Sequence, residues 1–416
     1  MTDTSTVGTP LMDRQDERLQ VATGIRGSLS GFLGRVRSGD LGALPVIVGL
    51  VVIWTVFQVL NPVFLSSDNL DNLTLESCSE GVIALGVVCV LLVGQIDLSV
   101  GSISGLAAAI IAVLSVNHGW NVLLACLVAC AAACAIGWLY AQLLNRVSMP
   151  SFVSTLAGLL AFLGLQLYLL GDIGSINLPY GSGIVAFAQL DFLPPATAYI
   201  LAALAAAATF ATGYRLAAKR RAAGLSHRTM TALTLRAAAV LVVGEAVVYY
   251  LNLSRGVSWM FVLFIGLVVG MNYALTRTRW GRSLFAVGGN VEAARRTGVK
   301  VRSVYTSAFV LCSMLAAVGG ILGAARLASA NQSSGTGDVN LNAIAAAVIG
   351  GTSLFGGRGS AYSALLGIIV IESISSGLTL LNLTSSYRYM ITGLVLAIAV
   401  AVDALARKSR TSSGLA

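Results

Sequence analysis

Between residues 81 and 116 the chain is apolar except for Gln95 and Asp97. That run is far longer than the ~20 residues that cross a bilayer once. It must therefore be two helices meeting at a polar joint, Ile96-Asp97-Leu98-Ser99-Val100-Gly101-Ser102. A carboxylate inside membrane-grade sequence is costly unless it caps a helix or serves a pathway. Asp97 reads either as the N-cap of the second helix, with Ser99 and Ser102 assisting, or as a pathway or gate residue.

The rest of the chain has the same character. With 56% hydrophobic and only 10% charged residues, it cannot hide its apolar surface in a soluble core. The expected class is an all-α, polytopic membrane protein. Apolar segments lie near 41–60, 81–95, 98–116, 120–144, 151–171, 194–214, 231–251, 257–276, 303–325, 340–355, 360–381 and 388–406. Residues 1–40 read as a polar cytoplasmic tail without a cleavable signal, 41–406 as the membrane domain and 407–416 as a second cytoplasmic tail. Within the first tail, Ile25, Leu29, Phe32, Leu33 and Val36 share a helical face beside Arg26, Arg35 and Arg37, and either a surface-lying helix or a disordered tail accommodates them.

The net charge of +9 follows topology rather than a polyanion site. With both termini in the cytoplasm, Arg146, the 215–228 cluster, the 277–302 cluster, Arg358 and both tails put nearly all cations inside. Only Arg255, Arg326 and Arg388 fall outside, and Arg236 sits early in a span. Asp68, Asp71, Glu76, Glu80, Asp172, Asp191 and Asp338 lie on the far side. No nucleic-acid partner is expected. Cys126, Cys130 and Cys134 share a helical face without His or Asp partners, which suits helix packing better than a metal site. The spacings Gly101-x-x-x-Gly105 and Gly319-x-x-x-Gly323 likewise read as close helix packing.

A second interruption follows the short segment 340–355, in Gly350-Gly351-Thr352-Ser353-Leu354-Phe355-Gly356-Gly357-Arg358-Gly359-Ser360. An apolar segment too short to span and dissolving into glycine reads as a half-helix or re-entrant element. One break in each half of the chain is the pattern of a translocation pathway built from pseudo-symmetric repeats. Other pathway candidates are Ser151, Ser154 and Thr155, whose hydroxyls suit a neutral polyol but also bond their own backbone. The intramembrane carboxylates Glu372 and Glu245 could meet a substrate or another helix. The chain shows no catalytic constellation.

The polar stretch from Arg277 to Lys300 contains Asn290, which can cap a helix, Glu292 near its start, and Gly298, which can close it. A surface helix of about two turns is expected there. A phosphate-binding loop needs Gly-Lys-Ser/Thr, and none of Lys219, Lys300 and Lys408 follows a glycine. Transport energy must then come from an ion gradient or from a partner that hydrolyses ATP.

Glu292-Ala293-Ala294-x-x-x-Gly298 resembles the loop that ATP-binding-cassette importer permeases present to their ATPase. Four more blocks resemble the branched-chain and monosaccharide permease family: Gln95 to Ser102, Val147 to Gly158, Gly288-Gly289-Asn290, and Ala345 to Leu354. The likeness spans about residues 60–406 and is strongest to the xylose-type branch, which also inserts two spans matching 194–214 and 231–251. Where that branch carries Asp-Asn before the glycine matching Gly377, this chain has Ser375-Ser376, and a carboxylate stands one turn earlier at Glu372. The resemblance implies a ten-helix permease core plus two inserted helices, in a bacterial inner membrane. It implies a non-enzymatic homodimeric subunit that binds no cofactor. A cytoplasmic ATPase holds ATP and magnesium, and a periplasmic binding protein delivers a monosaccharide. Gly288, Gly289, Asn290, Glu292, Ala293, Ala294 and Gly298 would couple to the ATPase. Asp97, Ser99, Ser151, Ser154, Thr155 and Glu372 would line or gate the path, and Gly101, Gly350, Gly351, Gly356 and Gly357 would mark helix breaks. An ion-coupled transporter of the major facilitator type is the rival reading. It would repeat the basic loop of Arg277 to Ser283 between its second and third spans, where this chain has Gln95-Ile96-Asp97.

Overall fold

A computed structural model describes residues 44–401 except 385, 388, 396, 399 and 400. The two tails and the surface-lying segment expected around residues 25–36 lie outside the described residues. Nine helices are long and apolar enough to cross a membrane, and two shorter apolar helices accompany them, among the described residues. The chain is an all-α, multi-pass membrane protein. Its compact units are a main one, whose described part is 44–192 with 257–401, and a second whose described part is 193–256.

In the main unit, α1 (Leu44–Leu60) leads to α2 (Ser67–Leu92) and α3 (Val100–Ala112), which continues as a π-helical turn over Val113–Asn117. α4 (Val122–Val147) and α5 (Ser151–Leu170) follow, then a short strand β1 (Ser175–Asn177) and α6 (Gly183–Gln189). The second unit is a helical hairpin, α7 (Pro195–Ala222) with α8 (Met230–Leu251). The main unit resumes with α9 (Trp259–Arg277), α10 (Arg279–Gly289), α11 (Val291–Arg296), α12 (Val301–Leu327), β2 (Ser329–Asn331), α13 (Val339–Ile349) and α14 (Ala361–Leu380). The chain leaves the main unit at Phe192 and returns beside it: Phe192 and Ser258 form a β-bridge, and Trp259 N–H donates to Asp191 O at 3.1 Å. The inserted pair therefore begins and ends at adjacent points of one continuous core.

α12 is the centre of the main unit, packed against α2, α3 and α4. Small residues permit this closeness, as helices in lipid gain by backbone approach rather than by water exclusion. A Cβ at Gly319 would strike Ser79 O, at Gly320 Ser104 O, and at Gly137 Phe309 O. The pair Gly101 and Gly105 has another role. Gly101 faces Gly335 O in a loop and Asn340 on α13, and Gly105 faces Ser334 O in the same loop and the Gln166 side chain on α5. The helices also close a two-stranded antiparallel ribbon in which Ser175 faces Asn331 and Ile176 faces Ala330.

Several boundaries differ from expectation. The second segment begins not at 81 but at Ser67, where Ser66 accepts from Asn69 N–H and starts the helix. Asp68, Asp71, Glu76 and Glu80 thus belong to α2 rather than to a loop, and Glu76 and Glu80 meet the polar partners described below. α7 runs on through Arg215, Lys219, Arg220 and Arg221, leaving only 223–229 as the turn of the hairpin. Long basic side chains tolerate the end of a span by extending toward water. The segment near 340–355 is an 11-residue helix, about 16 Å long, half of what a span requires.

Basic residues of the main unit gather at one end of the bundle. Asn145, beside Arg146, donates to Arg302 O at 3.1 Å, and Arg358 follows the loop packed on α10. The opposite end carries Asp172, Asp191 and the Glu76–Arg326 ion pair at 3.5 Å.

Candidate functional site

Three features of the main unit bear on function: a joint between two broken segments, a glycine junction under α10–α11, and a polar cavity.

The joint begins where α2 ends. Residues 93–99 are non-helical, and backbone polar groups in such a position must all be satisfied within the protein. Ile96 N–H donates to Ser151 Oγ at 3.3 Å, and Leu98 N–H to Thr155 Oγ1 at 3.1 Å. Leu98 O accepts from Asn340 Nδ2 at 2.7 Å. Ser151 and Thr155 are thus occupied in holding the broken segment, and Ser154 Oγ donates to Ser151 O. Asp97 is buried, but it is not the N-cap. That position is Ser99, whose side chain makes no cap bond. Instead Ser99 N–H and Oγ both donate to Asp97 Oδ1, at 2.8 and 2.7 Å, and Tyr140 OH donates to Ser99 Oγ at 2.8 Å. The short carboxylate competes for the local backbone and sets a turn two residues ahead of the helix.

Two stretches from the second half of the chain meet this break. Gly101, Gly105 and Leu98 meet Ser334, Gly335 and Asn340, so one of them is 334–340, the approach to α13 and its first turn. Gln166 pins it, donating from Nε2 to Asn331 O and Ser334 O at 3.0 and 2.9 Å. The glycine-rich stretch 350–360 meets the start of the same break, where Gly356 packs on Gly94 and Gly357 on Leu92. Gly350 packs on Ser363 O as α13 turns into the antiparallel α14, and Gly351 has φ +105° with open space around it. Gly356 and Gly357 reach the basic end.

There the backbones of three segments touch. A Cβ at Gly288 would overlap Leu92 O and Gly357 N, and one at Gly356 would meet Gly288 O and Gly94 N. Gly357 N–H donates to Leu92 O at 2.9 Å. Gly288, near the end of α10, is therefore seated directly on the end of α2 and on the 356–357 turn. α11 follows at once. Asn290 Oδ1 accepts from Ala293 N–H at 2.9 Å, and Gly298 closes the turn at φ +83°. Ala294 is buried, Ala293 is exposed, and exposed Glu292 pairs with Arg295 and Arg296 at 3.2 and 3.5 Å. The expected short surface helix is present at its expected place. α10 was missed; its signals are the Thr278 cap, which accepts from Gly281 N–H, and Gly281, Leu284 and Val287 recurring at helical spacing on the buried face.

The cavity, about 240 Å³, lies among α2, α3, α12, α13, α14 and the 333–335 loop. It extends from the Glu76–Arg326 pair at the acidic end to Glu80 and Glu372, each about halfway along its helix. Asp338 at the head of α13 and Asn342 one turn on complete its polar wall, and Asn342 hydrogen-bonds Glu80. Of the sequence candidates only Glu372 reaches this cavity; the Asp97–Thr155 group lies at the joint. Glu76, Glu80, Asp338 and Asn342 were missed because α2 was begun too late and α13 was read from its apolar residues alone.

The chain matches the family described as branched-chain amino acid transport system / permease component over residues 69–400. The chain belongs to this permease family. The xylose transport system permease protein of Escherichia coli (strain K12) is 31% identical, covering 91% of this chain and 96% of its own. The ribose import permease protein of Bacillus subtilis (strain 168) is 32% identical, covering 88% and 94%. No solved structure matches the permease. Membership sets the major facilitator alternative aside: the protein is the membrane-spanning component of a transport system.

Proposed function

We propose that this permease forms the translocation pathway of an ATP-driven monosaccharide importer in a bacterial inner membrane, with D-xylose as substrate. Its basic end faces the cytoplasm and, as a homodimer, docks a separate ATPase that holds ATP and magnesium. Its acidic end receives sugar from a periplasmic binding protein. The observation that carries this reading is the seating of α11. A capped, exposed helix stands beside backbone that rests, without intervening side chains, on the end of α2 and the turn before α14. Displacement of α10–α11 by a partner would be passed to both broken regions, because close-packed backbone has no slack to absorb it. A groove of about 490 Å³ between α4 and α12, carrying Arg146 and Arg302, offers further polar surface at the same end. The xylose assignment is supported by the named xylose permease relative and by the inserted pair α7–α8.

The test uses permease and ATPase assembled in liposomes with loaded binding protein outside. Gly298→Val forces a β-branched residue to φ +83°, a backbone region such residues resist, and Glu292→Lys reverses the charge at the α11 N-terminus. Each variant lowers sugar-stimulated ATP hydrolysis at least tenfold while leaving membrane insertion intact. Normal coupling in both would remove α11 from this role. The permease alone shows no uptake driven by proton or sodium gradients. For orientation, a single cysteine placed at exposed Asp172 in a cysteine-free background is labelled from outside the cell. One at exposed Ala223 is not. The reverse pattern would invert the assignment of the two ends.

A further inference from the structure

The cavity has an excess of acceptors that no described residue meets. Glu76 is paired with Arg326, and Glu80 takes the Asn342 amide. The outer oxygen of Glu80, Oε2, has no partner. Glu372 is only 7% exposed, lines the cavity and makes no hydrogen bond or ion pair with the described residues. Asp338 lines the same wall and its side chain caps no helix N–H. A buried carboxylate without a partner, halfway along a membrane helix, destabilises the fold and is kept where a ligand or a path requires it.

Such a site calls for a ligand rich in donors. A cation would supply charge, but among the described residues no three carboxylates converge closely enough to hold a metal ion. A neutral polyol supplies several O–H donors at ring spacing and brings acceptors for Arg326 and Asn342. The cavity, at about 240 Å³, is slightly smaller than the ~300–1,000 Å³ of pockets that take drug-sized molecules. That is in keeping with a single ring. Resting on the importer reading above, we infer that this cavity is a monosaccharide site within the permease, in which Glu80, Asp338 and Glu372 accept from ring hydroxyls and Asn342 and Arg326 donate to ring oxygens. Sugar leaving a binding protein at the acidic end would be held here before passing the joint at Leu98–Asn340. Glu372 is the specificity residue, because its carboxylate has no other partner among the described residues.

The experiment reads occupancy directly. Ser375, one turn from Glu372 and also lining the cavity, is changed to cysteine (Ser375→Cys), and its modification by a methanethiosulfonate reagent is timed on purified permease. Millimolar D-xylose is expected to slow modification severalfold, whereas sodium or magnesium chloride at equal concentration does not. Adding Glu372→Gln, which keeps the size and removes one strong acceptor, raises the sugar needed for half-protection about tenfold. It leaves the thermal midpoint equal or higher, since Glu372 has no hydrogen bond or ion pair among the described residues to lose. Protection by salt and not by sugar would make this a cation site, and protection by neither would leave it unliganded; both overturn the inference. ATP-dependent uptake by the full complex is scored in parallel. An absence of monosaccharide import by the unaltered complex would refute the importer reading, whereas import with no sugar protection at Ser375→Cys refutes only this site.

Discussion

At the basic end of the permease, Gly288, Leu92 and Gly357 meet backbone to backbone. Halfway along the bundle, Glu80, Asp338 and Glu372 stand around open space. The two regions use opposite means. At the junction, the loss of side chains brings three segments so near that none moves alone. In the cavity, side chains are kept and some of their oxygens are left without partners among the described residues, so that volume and hydrogen-bonding capacity remain. One region can pass on a displacement and the other can hold something, and α2 contributes to both, through Leu92 at its end and Glu80 at its middle.

The contrast breaks most readily at Gly288. Gly288→Val places atoms where Leu92 O and Gly357 N already lie. The cost is expected at about 1–3 kcal/mol or more, as for overpacking elsewhere. It should show as a lower thermal midpoint and loss of sugar-stimulated ATP hydrolysis. Gly289→Ala, one residue on, has nothing within 4 Å of its added carbon and should leave both unchanged. Equal effects at the two positions would mean that the junction is not a steric contact.

Smaller losses are expected where a single bond is removed. Tyr140→Phe deletes the donor to Ser99 Oγ and should lower stability by about 1 kcal/mol, measured by thermal unfolding in detergent. Asn290→Ala removes the α11 cap, also worth about 1 kcal/mol, but in a six-residue helix at the surface. Its effect should therefore appear as weaker ATPase coupling with little change in the unfolding midpoint. At the rim of the cavity the effect should be smallest. Ser333 is exposed, and Ser333→Ala should stay within about 0.5 kcal/mol of the parent. A large loss there would show that the cavity wall is as tightly built as the junction.

Sequence reasoning reached α11 because each of its signals is local: Asn290 caps within three residues and Gly298 ends the turn by its own backbone freedom. It reached the half-length of α13 because an 11-residue apolar segment cannot span, wherever it is placed. Of its two readings of Asp97 the cap fails, since both a cap and an upstream turn draw on the same short carboxylate. Ser99, two residues away, decides between them by donating twice to it. Sequence reasoning named one break in each half of the chain, and Gly356 and Gly357 do meet the start of the first break at Gly94 and Leu92. What it did not show is the second contact, in which Leu98 bonds Asn340 and Gly101 receives Gly335, again between opposite halves of the chain.

What the sequence by itself determined is the class of protein and the order of its membrane segments, together with the short capped helix between α10 and α12. Hydropathy, charge bias and capping act over one span or less, and lipid leaves the backbone no alternative to helix. What only the tertiary structure decided is which breaks face one another, which hydroxyls are consumed in holding them, and which carboxylates share a cavity. Glu80, Asp338 and Glu372 are far apart in the chain. Their meeting depends on how closely α2, α13 and α14 approach, which is set by contacts such as Gly367 on Ala346 O that no local pattern encodes.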